Sequence, residues 1–121
     1  MLILLSPAKS LDFESEVSRK LETLPEFAPQ AATLMGVLRR KSSGSLQKLM
    51  KLSAALGDLN HERNQQWQPE PDEELTRPAV HAFQGDVYQG LDVTNLTAPQ
   101  QKRLQKHVRI LSGLYGVLRP F

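Results

Sequence analysis

Met1-Leu2-Ile3-Leu4-Leu5 is an unbroken apolar run that halts at Ser6-Pro7. A continuous run, unlike an alternating one, keeps no polar face for water, so it reads as a short strand buried on both sides. It is too short to span a membrane. With no basic residue ahead of it, it does not fit a secretory signal either. A doubly buried strand needs neighbours to pair with, and no other segment reads firmly as strand. The expected fold is therefore mixed α/β (α+β), mainly helical over these residues, with helix pairs and a sheet completed by a part that lies beyond them. The chain also stops at Arg119-Pro120-Phe121, directly after a turn. Residues 1–121 are thus expected to be the N-terminal part of a longer single domain.

Composition narrows the class. With 40% hydrophobic and 23% charged residues the chain suits a globular protein. The absence of cysteine excludes disulfides and thiolate metal sites, and favours a reducing compartment. A cytoplasmic location with no membrane association is expected. The oligomeric state is left open, with a monomer expected.

The net charge of +2 hides a segregation. No Asp or Glu lies between Phe27 and Gly57, where Arg39, Arg40, Lys41, Lys48 and Lys51 stand; none follows Val93, where Lys102, Arg103, Lys106, Arg109 and Arg119 stand. Two acid-free basic stretches in a nearly balanced chain suggest a polyanion-facing groove, although charge runs also occur on ordinary solvated helices.

Residues 11–29 read as loop, with room for a short helix at 15–21, and periodicity predicts a helix over 30–40, with Leu34, Val37 and Leu38 on one face. Ser42-Ser43-Gly44-Ser45 breaks it and caps a helix over 45–57, which Gly57 ends. A further helical turn or two covers 59–67, and 78–83 reads equally as helix or strand. Gln84-Gly85-Asp86 predicts a turn, Val87-Tyr88 an extended piece and Gly90 a stop. Thr97 caps the last helix, with Pro99 in its first turn; Leu104, Val108 and Leu111 form its apolar stripe and Lys102, Lys106 and Arg109 its basic one.

Chemistry-bearing candidates are few. Ser6-Pro7-Ala8-Lys9 leaves a strand end, where α/β proteins place ligand loops, so Lys9 is a candidate phosphate contact or nucleophile. Asp86, on a glycine turn, is a candidate acid–base group; a solvated lysine and a self-satisfied turn aspartate are the plainer readings. His61, His81 and His107 are dispersed, and no metal or cofactor is expected. Trp67 and Tyr115 read as core aromatics. Two segments could form hairpins that grip DNA phosphates: the helices flanking Lys41-Ser42-Ser43-Gly44, and the last helix running into Leu111-Ser112-Gly113-Leu114-Tyr115-Gly116.

Leu2-Ile3-Leu4-Leu5-Ser6-Pro7-Ala8-Lys9, Phe83 with Gly85-Asp86-Val87-Tyr88 and Gly90-Leu91, and Leu111-Ser112-Gly113-Leu114-Tyr115-Gly116-Val117-Leu118-Arg119-Pro120 together resemble the bacterial YaaA family of peroxide stress resistance proteins. Leu49-Met50-Lys51-Leu52-Ser53 and Trp67-Gln68-Pro69 also fit, and the likeness runs the length of the chain. It implies a cytosolic protein, about twice this long, that protects against hydrogen peroxide by limiting free intracellular iron. It also implies a basic cleft and a helix-hairpin-helix element that binds double-stranded DNA. Lys9 and Arg119 match family motif positions near that cleft; Ser10 departs from the common Thr but keeps the hydroxyl. The DNA-contact pool is then Lys9, Arg39, Arg40, Lys41, Lys48, Lys102, Lys106, Arg109 and Arg119, gripping duplex DNA without regard to sequence. The alternative is an enzyme acting on a nucleobase or damaged nucleotide, with Lys9 and Asp86 in its site.

Overall fold

The structure, a computed structural model, describes residues 1–17, 19–70, 72 and 74–121. In chain order its elements are β1 (Ile3–Leu5), α1 (Ala28–Arg39), α2 (Ser43–Met50), α3 (Ala54–Gln66), α4 (Ala79–Ala82), α5 (Asp86–Leu91), a 3-10 turn at Val93–Asn95, α6 (Ala98–His107), β2 (Val108–Ser112) and β3 (Gly116–Leu118). The fold is mixed α and β. The chain forms two compact units: residues 1–27 with 71–121, and residues 28–70.

The first unit is built on a three-stranded sheet in the order β1-β2-β3. β1 runs parallel to β2, with Ile3 opposite Val108 and Leu5 opposite Ile110. β3 runs antiparallel to β2, with Ile110 opposite Leu118 and Ser112 opposite Gly116. The strand partners expected beyond the chain are thus found within it. Residues 108–112 carry both a helical and an alternating pattern; pairing with β1 selects the strand, and the last helix stops at His107. The second hairpin candidate is consequently a β-hairpin, not a helical one. Its return at Gly116 needs a left-handed φ of 70°, and a Cβ there would lie 3.4 Å from the Phe27 ring.

The apolar run does form a strand, but not one buried on both faces: Ile3 is 41% and Leu4 58% exposed. One sheet face packs on the core. Val108 and Ile110, with Leu5 and Leu118 against them, meet Val80, Tyr88, Val93, Leu104 and Phe121. The end of the chain is packed too. Phe121 is 2% exposed, its N–H donates to Gln105 Oε1 at 2.9 Å, and its backbone oxygen accepts from the N–H of Glu22 at 2.7 Å.

Around this core several expectations change. The described residues of 15–21 form no helix, and Ser18 lies outside them. Residues 79–82 are helical. Residues 86–91 are helical as well, in place of a turn and an extended piece; Gly90 lies inside α5, which ends at Asp92 in a left-handed conformation (φ 48°). Tyr88 explains the choice: the helix buries its ring and lets its hydroxyl donate to the Ser6 carbonyl at 2.6 Å. Thr97 caps α6 as expected, the Gln100 side chain accepting from its N–H at 2.8 Å.

The second unit is three helices. Ser42 caps α2, its hydroxyl accepting from the N–H of Ser45 at 3.1 Å. The helix expected over 45–57 is two: Lys51 turns left-handed (φ 54°) to end α2, and Ser53 caps α3. Gly57, read as a stop, is buried inside α3, where a Cβ would lie 2.5 Å from Cγ of Gln47. That glycine lets α2 and α3 pack closely.

Candidate functional site

In the first unit the loop after β1 is tied to the segment that opens α5. The Gln84 N–H donates to the Ser10 carbonyl at 3.0 Å, the Asp12 N–H to the Ala82 carbonyl at 2.7 Å, and Leu11 bridges Phe83. A Cβ on Gly85 would sit 3.6 Å from Cβ of Ala8, and the Phe83 and Tyr88 rings lie 5.6 Å apart. Lys9 and Asp86 are therefore carried on adjoining backbone segments, and both are exposed. Arg119 is placed elsewhere. Leu118 is level with Leu5 through Ile110, and β3 runs opposite to β1, so Arg119 heads away from the strand end where Ser6 leaves. It pairs with Glu26 at 3.6 Å.

The first unit also holds a depression that the sequence did not reveal. Arg19, His81, Thr94, Gln101 and Glu16 line a cavity of about 400 Å³. The Arg19 guanidinium stacks 3.8 Å over the Phe121 ring and donates to Gln101 and Glu22. Burial holds the His81 pKa below its usual value, and the charges of Arg77 and Arg19 add to that. Asp12 accepts from the hydroxyl and N–H of Ser15 and from the N–H of Glu14; with Arg77 at 3.7 Å, its pKa falls to about 2. No spacing rule connects residues 19, 81 and 101, so only the fold brings them together.

The cations divide between structural and free roles. Arg109 hooks back on the end of α6, donating to the carbonyls of Gln105 at 3.1 Å and Val108 at 2.7 Å. Lys102 and Lys106 lie exposed on α6, whose Leu104 is buried. In the helical unit the Arg39 Nε donates to the Asn64 carbonyl at 2.9 Å, and its guanidinium lies 5.8 Å from the Trp67 ring. Arg39 thereby ties α1 to α3. Arg40 and Lys41 stand exposed in the turn between α1 and α2, Lys48 on α2, and Lys51 just after it. Among the described residues the ion pairs are Arg19–Glu22, Arg77–Asp12 and Arg119–Glu26. Arg40, Lys41, Lys48 and Lys51 take part in none of these.

The first hairpin candidate exists as two helices joined by a short turn. The closely packed pair, however, is α2 with α3, joined through Lys51-Leu52-Ser53. The sequence hid it because residues 45–57 read as one helix.

The fold and this surface define a mixed α/β protein with a helical unit that presents uncompensated cations. No helix among the described residues is long and apolar enough to cross a membrane. The chain belongs to the YaaA family: the model described as peroxide stress protein YaaA matches residues 1–121. It is 52% identical over 120 residues to a UPF0246 protein of Albidiferax ferrireducens, covering 99% of this chain and 46% of that relative. A UPF0246 protein of Caulobacter sp. (strain K31) is 50% identical over 121 residues, covering 100% of this chain and 47% of the relative. The chain thus spans about half the length of the curated relatives it matches.

Proposed function

We propose that the chain contributes a sequence-independent surface for double-stranded DNA to a peroxide stress protein whose action lowers free intracellular iron. The observation that carries the DNA reading is the set of exposed cations Arg40 and Lys41 before α2, Lys48 on it and Lys51 just after it, outside every ion pair among the described residues. Uncompensated lysines and arginines gain from the counterions that a phosphate backbone releases. Gly44, in the first turn of α2, has open space where a side chain would sit, so a phosphate could approach the backbone there. The contact reads phosphates, and affinity is indifferent to sequence.

The test is duplex binding by fluorescence anisotropy over a salt series. Replacing Arg40, Lys41 and Lys48 with glutamate abolishes binding; each single change to alanine flattens the log–log salt slope by about one. Unchanged binding in the triple variant overturns the reading. The iron arm is read separately, as chelator-accessible iron in peroxide-treated cells with and without the intact family protein.

A second reading, an enzyme acting on a nucleobase or damaged nucleotide, draws support from the lacing that brings the Lys9 and Asp86 segments side by side. There the Lys9 amine attacks the aldehyde carbon of an abasic sugar, water leaves, and borohydride reduces the imine to a stable adduct. An adduct lost in Lys9→Ala supports it, and no adduct counts against it.

A further inference from the structure

Three polar side chains on one face of α3 reach across to the turn that carries Arg40 and Lys41. Asp58, His61 and Gln65 stand at i, i+3 and i+7, so the helix aligns them in one row. The Gln65 amide donates to the Arg39 carbonyl at 2.9 Å, and His61 Nδ1 bonds the Lys41 carbonyl at 3.1 Å. A carbonyl only accepts, so Nδ1 is the ring nitrogen that carries the hydrogen. Asp58 accepts from the Ser43 hydroxyl and joins no ion pair among the described residues. The turn needs such support. Arg40, Lys41 and Ser42 are all exposed, so no burial fixes them, and carbonyls at a helix end lack N–H partners of their own. The local bonds there are those from the Arg40 and Lys41 N–H groups to Val37 and Leu38, at 3.2 and 3.0 Å.

We infer that His61 and Gln65 are positioning residues for the phosphate-facing surface: they hold the turn in one shape and present Arg40 and Lys41 already ordered. The inference rests on the DNA reading above. A loose turn reaches the same phosphates but must be ordered on binding, which lowers affinity by about three- to tenfold. It leaves the number of phosphates contacted unchanged. Loss of positioning therefore weakens binding at a constant salt slope, whereas loss of a cation flattens the slope. The Arg40 Nε leans on the Gly36 carbonyl at 3.1 Å, so α1 and α3 both brace the same short stretch.

Duplex binding over a salt series, with NMR relaxation of the free protein, tests this on the intact chain. His61→Ala combined with Gln65→Ala weakens binding by about three- to tenfold at unchanged slope, and the order parameters of the Arg40–Ser42 amides fall. An asparagine amide places its N–H where Nδ1 stands, while a glutamine amide reaches only where Nε2 stands. His61→Asn therefore keeps binding and order, and His61→Gln loses both, although glutamine is the better helix former. A role in helix stability alone would rank the two the other way. Equal binding by His61→Asn and His61→Gln overturns the inference. So does parent-like binding by the double alanine variant when Arg40→Glu, Lys41→Glu and Lys48→Glu together abolish it, a result that leaves the DNA reading standing. If that triple variant still binds, the DNA reading fails and takes the inference with it.

Discussion

Arg39 and Lys48 look equivalent in sequence, yet the fold separates them. Arg39 holds α1 to α3 through the Asn64 carbonyl and the Trp67 ring, while Lys48 faces solvent. Arg39→Ala is therefore expected to cost the helical unit about 1–2 kcal/mol, measured by denaturant unfolding. Lys48→Ala is expected to shift stability by less than about 0.5 kcal/mol and, on the proposed function, to weaken duplex binding instead. Asp12 offers a second residue-scale test. Its carboxylate, held chiefly by the Ser15 hydroxyl, titrates at about 2, below its ordinary 3.8. A depressed pKa means that the carboxylate stabilises the fold above about pH 4 and loses that contribution as pH falls toward 2. NMR titration should place the midpoint near 2, and Ser15→Ala should move it upward.

At the scale of elements, the sequence was legible where local chemistry decides and opaque where distant partners do. The Ser42 and Thr97 caps were readable from single residues. The boundary between α6 and β2 was not: Leu104, Val108 and Leu111 fit a helix, and only β1 makes 108–112 a strand. Gly57 misled in the same way, since a glycine that ends a helix and one that admits a neighbouring helix look alike in a sequence. The two roles predict opposite results. Alanine at a solvent-exposed interior position would gain about 1 kcal/mol in helix propensity. With Gln47 Cγ 2.5 Å from the new Cβ, Gly57→Ala is expected instead to destabilise the helical unit by about 1–2 kcal/mol. Gln47→Ala in that background should restore part of the loss, as a double-mutant cycle would show. The exposed cations Arg40, Lys41, Lys48 and Lys51 were legible as an acid-free run, but nothing in the sequence distinguished Arg39 and Arg109, whose guanidiniums bond backbone carbonyls.

For the molecule as a whole, stability should track the protonation of His81. Its pKa is lowered by burial first and then by Arg77 and Arg19, so below its ordinary 6.5 the unfolded chain binds a proton that the folded one resists. Stability is expected to fall as pH drops below 6.5 and to level off once the folded protein also takes the proton. Chemical denaturation across that range checks this, and His81→Gln should flatten the curve. The sheet has a consequence of another kind. β1 and its partner β2 stand near opposite ends of the sequence, with the whole helical unit between them. During synthesis the first apolar residues leave the ribosome long before their mate exists, while the three helices, whose contacts are local, already have all they need to assemble. Until residues 108–112 follow, β1 is an apolar segment without its mate, ahead of helices that need only local contacts.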